Sequence, residues 1–187
     1  EDLSRGLGDV YKRQMRARLA VCSAGIQVEL REILLRDKPD AFLRASPKGT
    51  VPVVELVDGT VLEESRDVMQ WALGQNDPAG WLDVQHHAPD RTASFLDALD
   101  GPFKTHLDRY KYASRFDVRA ALEHRTAGAA ILAEFDASLA SQPSLSGEKH
   151  GLLDFATLPF VRQFRIADPV WFCLLYTSDA ADDSLRV

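Results

Sequence analysis

The chain has 187 residues, a formal net charge of −6 and a pI near 5.3. That balance excludes the basic footprint of a nucleic-acid-binding surface, and no apolar run approaches the ~20 residues of a membrane span. Hydrophobic residues at 45% with 27% charged ones are ordinary for a globular chain, and two cysteines exclude a disulfide framework or a cysteine-rich metal site.

In chain order, residues 15–24 read as a helix. Met15, Leu19 and Cys22 form its apolar stripe, Arg16 and Arg18 lie off it, and Gly25 takes the C-cap. Residues 26–35 read as a strand, with Val28 and Leu30 alternating against Gln27 and Glu29. Lys38-Pro39 opens a short helix to about Arg44. Residues 51–56 and 60–62 read as a hairpin around Asp58-Gly59. A helix over 65–73 carries Val68, Trp71 and Ala72 on one face.

Residues 75–89 are polar, contain Pro78, Gly80 and Pro89, and read as a linker. Beyond them the pattern is helical only. One helix covers 90–99 and is broken at Gly101-Pro102; Phe103, His106, Leu107 and Tyr110 then recur at helical spacing. A long helix over 119–139 is softened at Gly128, and an apolar helix over 151–164 kinks at Pro159. Asp154 stands where a capping-box acid reaches back to free N–H groups, but Gly151 replaces the usual Ser or Thr, so the box is half present. Mixed strands and helices followed by helices alone predict an α+β unit joined to a helical one.

Both ends read as foreign. Asp9-Val-Tyr-Lys-Arg-Gln14 can be encoded by GAT GTG TAT AAG AGA CAG, and Cys173-Leu-Leu-Tyr-Thr-Ser178 by TGT CTC TTA TAC ACA TCT. The second string is the reverse complement of a word that overlaps the first, and the word resembles the transposon-end adapter joined to DNA fragments for sequencing. The flanks Ser4-Arg-Gly-Leu-Gly and Asp179-Ala-Ala-Asp fit adapter arms. The expected division is therefore 1–14 adapter-coded, 15–76 a first domain, 77–89 a linker, 90–172 a helical domain and 173–187 adapter-coded. Cys173 then falls outside the native part, and Cys22 alone fits a cytoplasmic protein.

Ser46-Pro-Lys-Gly-Thr-Val-Pro-Val53, the hairpin after it and Glu63-Glu64-Ser65 at a helix start resemble the glutathione-binding half of the glutathione S-transferases. The resemblance is strong over 16–20 and 46–73. It continues through Gly101-Pro-Phe-Lys-Thr-His-Leu-Asp-Arg-Tyr-Lys-Tyr112 and Asp154-Phe-Ala-Thr-Leu-Pro-Phe-Val-Arg-Gln-Phe164, which are similar to a bacterial, cysteine-type branch near the omega class. It implies a thioredoxin-like domain, here without its first strand, followed by a truncated all-helical domain. It also implies a cis Val51-Pro52 bond that turns the Val51 backbone outward to pair with a peptide-like ligand.

For that ligand, glutathione, the resemblance implies four contacts. The N-terminus of the helix at Ser65 suits the α-carboxylate, since free N–H groups and the helix dipole favour an anion there. Glu64 takes the ammonium group, the Val51 backbone pairs with the cysteinyl residue, and Lys38 takes the glycine carboxylate. Each has a plainer role open to it: Ser65 as a helix cap, Lys38 as solvated surface, Glu64 as a first-turn acid, Val51 as a strand residue. The activating residue should be a cysteine about four residues before Met15. Tyr11 holds that place, but its codon belongs to the adapter word, so no catalytic residue is assigned. Cys22, two turns into the helix among apolar neighbours, is expected to be buried and inert.

Phe103, His106 and Tyr110 could wall the second substrate or simply fill the core. The five histidines show no zinc-type spacing, so no metal is expected. The function implied is glutathione conjugation, or thiol transfer and deglutathionylation through a mixed disulfide. The partners are a small electrophile or mixed disulfide, with a homodimer as one state open to it. The alternative is a noncatalytic binding module of the same fold.

Overall fold

The computed structural model describes residues 3–176, with side chains from 12 to 175; the expectations for residues 177–187 and for Glu1 and Asp2 lie outside the described residues. Helix α1 spans Leu3–Ser23. It therefore begins twelve residues before the expected Met15. Gly25 ends it at φ +68°, donating to Cys22, while Ile26 donates to Val21. Those two bonds are the Schellman pattern, which a glycine completes without a Cβ clash.

The buried face of α1 is not the expected stripe. Ala17, Ala20 and Ala24 are buried and Cys22 is exposed. Small alanines let α1 lie close against α3 and α8, its main neighbours. Met15, Leu19 and Cys22 instead line an open apolar depression on the outer side, with Gln14 and Arg18.

Residues 26–35 are not a strand. Within them only Leu34 makes a bridge, to Asp37, and Val28 and Leu30 are 53% and 62% exposed. A strand needs a partner for its backbone and a layer for its apolar face, and among the described residues neither serves this segment. Helix α2, Asp40–Ala45, follows Pro39, as its preset φ favours. Strands β1, Val54–Glu55, and β2, Val61–Leu62, pair antiparallel with Val54 opposite Leu62. The turn between them closes through Leu56 N–H to Thr60 and Gly59 N–H to Leu56, with Gly59 at φ +85°. Among the described residues this pair is the whole sheet. Helix α3, Ser65–Gln75, buries Val68, Met69, Ala72 and Leu73.

The expected linker is partly core. Helix α4, Asp83–His87, lies within it, and Trp81, Leu82 and Val84 are buried. Asp77 starts this segment by accepting from the N–H groups of Trp81 and Leu82 at 2.9 and 2.8 Å. Helix α5, Pro89–Ala98, passes through a π-turn at Leu99–Phe103 into α6, Lys104–Lys111. Gly101-Pro102 thus widens the helix rather than breaking it; a widened turn absorbs the missing proline N–H.

Helix α7, Ala121–Leu139, is unbroken at Gly128. A Cβ there would stand 2.9 Å from Phe164, so this glycine serves close packing. Helix α8, Leu152–Ala167, carries Pro159 inside it and continues two turns beyond, and α9, Pro169–Tyr176, follows. One apolar core runs from Ala20 and Met69 to Leu99, Phe103, Phe160 and Phe164, so both parts of the chain share it. The α+β class and the helical second part are as expected.

Candidate functional site

The loop 46–53 is built from local turn chemistry. Ser46 caps α2 by donating its N–H to Phe42, and Gly49 donates back to Ser46 at 2.9 Å with φ +60°. A side chain at Gly49 would be strained and would also meet Lys38, whose Nζ and Cδ lie 3.1 and 3.4 Å from the Cβ position. Lys38 therefore lies across this turn. Val51 follows, buried, with a cis bond to Pro52. Among the described residues no hydrogen bond uses the Val51 N–H or C=O.

Two side-chain pairs tie the loop to the start of α3. The buried Ser46 hydroxyl donates to Glu63 at 2.6 Å, and Lys48 pairs with Glu64 at 3.1 Å. The second pair is half exposed on both sides and contributes little to stability. Lys38, Val51 and Glu64 thus all border one loop.

Ser65 is not a cap. Glu64 occupies the N-cap position, without a side-chain capping bond, and Ser65 is the first helical residue. The first helical bond at this end runs from Val68 to Glu64, so the N–H groups of residues 65–67 have no acceptor within the helix. Ser65 is 1% exposed, and its Oγ accepts from Arg16 Nε at 2.9 Å. That bond occupies a lone pair and leaves the hydroxyl proton free to donate.

Arg16 is the residue that the helical pattern missed. It stands off the expected apolar stripe yet is only 3% exposed. Its Nη2 pairs with Asp100 at 2.7 Å, and its guanidinium lies 5.0 Å from the centre of the Phe160 ring. Burial lowers its pKa, against the opposing pull of Asp100 and with small contributions from Arg13 and Arg66. Nη1 is buried with no hydrogen-bond partner among the described residues. Beside it Lys12, also buried, pairs with Asp108, which Lys104 meets from the other side at 2.7 Å. The start of α3 therefore carries free N–H groups, a hydroxyl and a buried guanidinium together, which is an anion-favouring constellation.

The expected second-substrate wall divides. Phe103 is fully buried and packs on Phe135 and Phe164, so it presents no surface to a ligand. Helix-spaced aromatics face the core when their helix is enclosed, as α6 is by α7 and α8. His106 and Tyr110 are half-buried and turn toward α7 and beyond: His106 meets His124, and Tyr110 packs on Phe164. Burial raises the Tyr110 hydroxyl pKa, with the Arg125 hydrogen bond opposing. Among the described residues no group of three or more His, Cys, Asp or Glu is placed to hold a metal ion, and no helix is long and apolar enough to cross a membrane.

Residues 14–80 match the family model of the glutathione S-transferase N-terminal domain. No curated protein matches the chain. Among solved structures, a glutathione S-transferase domain-containing protein of Marinobacter aquaeolei VT8 is 17% identical with a TM-score of 0.70, covering 83% of each chain. A glutathione S-transferase of Xanthobacter autotrophicus Py2 is 23% identical with a TM-score of 0.67, over 91% of this chain and 87% of its own. A glutathione transferase homolog from Sulfitobacter, solved with bound glutathione, is 17% identical with a TM-score of 0.67, over 92% and 93%. The chain has the glutathione transferase fold.

Proposed function

We propose that this chain is a glutathione transferase-type protein that binds glutathione at the junction of the loop 46–53 with α3. The observation that carries the reading is the start of α3, where unpaired N–H groups, the Ser65 hydroxyl and the buried Arg16 converge. The γ-glutamyl α-carboxylate takes the helix N–H groups and the Ser65 hydroxyl. Glu64 takes the adjacent ammonium, the Val51 backbone pairs with the cysteinyl residue, and Lys38, lying over Gly49, takes the glycine carboxylate. Arg16 does not touch the ligand; it holds Ser65 with its proton outward and supplies positive charge from beneath.

The reaction of the parent protein is thiol attack on a small electrophile, or exchange with a mixed disulfide in which the glutathione thiolate forms the new S–S bond and the other thiol leaves. Either needs a thiolate, and a thiolate is favoured at a helix N-terminus beside free N–H groups. Residues 11–14 instead lie in the third turn of an unbroken helix. Residues 11–14 also include no cysteine, so in this reading the chain binds glutathione without activating it, with 15–76, 77–89 and 90–172 as its native parts and 1–14 and 173–187 as adapter-coded.

Calorimetry with reduced glutathione tests this. Ser65→Ala should weaken binding by about 1.5–3 kcal/mol, roughly ten- to a hundredfold, as loss of a charge-assisted hydrogen bond predicts. Turnover of a generic aryl halide should stay at the rate in buffer. Unchanged affinity in Ser65→Ala would remove Ser65 from the site, and glutathione-dependent turnover would show that the chain holds an activating group.

A further inference from the structure

Residues 27–33, Gln-Val-Glu-Leu-Arg-Glu-Ile, carry a row of backbone groups that the fold leaves open. Ile26 closes α1 through its N–H to Val21, and Leu34 accepts from Asp37 in the next turn. Between these two, among the described residues, no backbone–backbone hydrogen bond forms. Residues 27–32 are exposed throughout, and none of the stretch has a positive φ. An open row of this kind is a template for a strand of another chain unless proline, lysine or a bulge blunts it. This stretch has neither proline nor lysine.

We propose that residues 27–33 pair antiparallel with the same residues of a second copy of this chain, about a twofold axis at Leu30. The open stretch is centred on Leu30, so in this register both copies pair over its whole length. Gln27 then faces Ile33 of the second copy, Val28 faces Glu32, Glu29 faces Arg31 and Leu30 faces Leu30. Opposite charges meet twice, and the two leucines touch. A shift of two residues sets Glu29 against Glu29 or Arg31 against Arg31. A shift of one residue puts the charged face of one copy against the apolar face of the other. The charge pattern thus selects one register, and a twofold contact uses the same patch on both copies.

Within one copy Arg31 Nε donates to Glu29 at 2.9 Å, with 76% and 75% of the two side chains exposed. Exchanging these partners across the axis therefore disturbs nothing buried. Val28, Leu30 and Glu32 share one face once the stretch is a strand. Glu32 reaches Arg18 at 2.7 Å, and Arg18 lines the apolar depression on the outer side of α1 with Met15, Leu19 and Cys22. That bond turns the apolar face toward the depression, where Val28 and Leu30 find an apolar floor. Neither the loop 46–53 nor the start of α3 takes part, so the pairing is independent of the glutathione reading.

The test is sedimentation equilibrium of the full chain over a range of concentrations, with a reductant present because Cys22 is exposed. The parent should show a monomer–dimer equilibrium, and alternate amides of 27–33 should gain protection from exchange as the dimer fills. Glu29→Arg and Arg31→Glu each turn two attractive pairs into two repulsive ones, and each should weaken dimerisation at least about tenfold. An equimolar mixture of the two variants restores both opposite-charge pairs and should recover dimerisation. Helical circular dichroism equal to that of the parent keeps the variants comparable. A parent that stays monomeric, a dimer unaffected by either substitution, or a mixture no stronger than its components would overturn the proposal.

Discussion

Asp154 shows what one side chain does for the second half of the fold. It accepts from the N–H groups of Leu145, Ser146 and Gly151 at 2.8, 3.2 and 2.9 Å. Burial works against its charge, but the bonds from Gly151, Ser146 and Leu145 outweigh it and lower its pKa. A carboxyl held below its unfolded value stabilises the fold fully above that value, and the contribution is lost as pH falls through the lowered one. Asp154→Asn should therefore cost about 1–3 kcal/mol near neutrality. The difference from the parent should shrink as pH falls below the ordinary carboxylate value of about 3.8. Denaturant melts at pH 7 and pH 3 check this, and an equal difference at both would deny the carboxylate its role. The Gly151 bond was legible as a half capping box. The bonds from Leu145 and Ser146 were not, because they depend on how the preceding loop folds back. Arg16 was illegible for the same reason: its partners Ser65 and Asp100 are far away in sequence, and a helical pattern assigns charge to solvent.

At the scale of elements, the helices α2, α3, α5 and α8 fall close to the positions the sequence predicts; α3 and α8 bury apolar faces, whereas α2 buries none and is placed by Pro39 and its turn residues. Segment 26–35 does not. Its alternation of Val28 and Leu30 is real, but pairing is a property of two segments, and among the described residues no second strand pairs with it. The linker misled differently: Pro, Gly and polar residues mark turns, yet Trp81, Leu82 and Val84 between them reach the core. At a dilution that keeps the chain monomeric, hydrogen exchange followed by mass spectrometry should find residues 27–33 exchanging at nearly unprotected rates while α3 and α8 are protected. Protection of alternate amides in 27–33 at that dilution would mean that the segment has found a strand partner within its own chain.

On the scale of the whole molecule, a shared core joins the α+β part to the helical part, and the buried contacts of Arg16 and Lys12 cross the same boundary. The loop 46–53 and Glu64-Ser65 were legible because turn residues and a helix start are local signals. Their support from α1 and from Asp100 is tertiary and appears only in the fold. The account's central claim is that glutathione binds where this loop meets α3. The most direct measurement is an amide NMR titration of the labelled chain with reduced glutathione. The account predicts saturable shifts at Val51, Ser65, Arg66 and Asp67, with the outer face of α1 around Met15 and Cys22 unmoved. No shifts at millimolar glutathione, or shifts confined to that outer face, would contradict it.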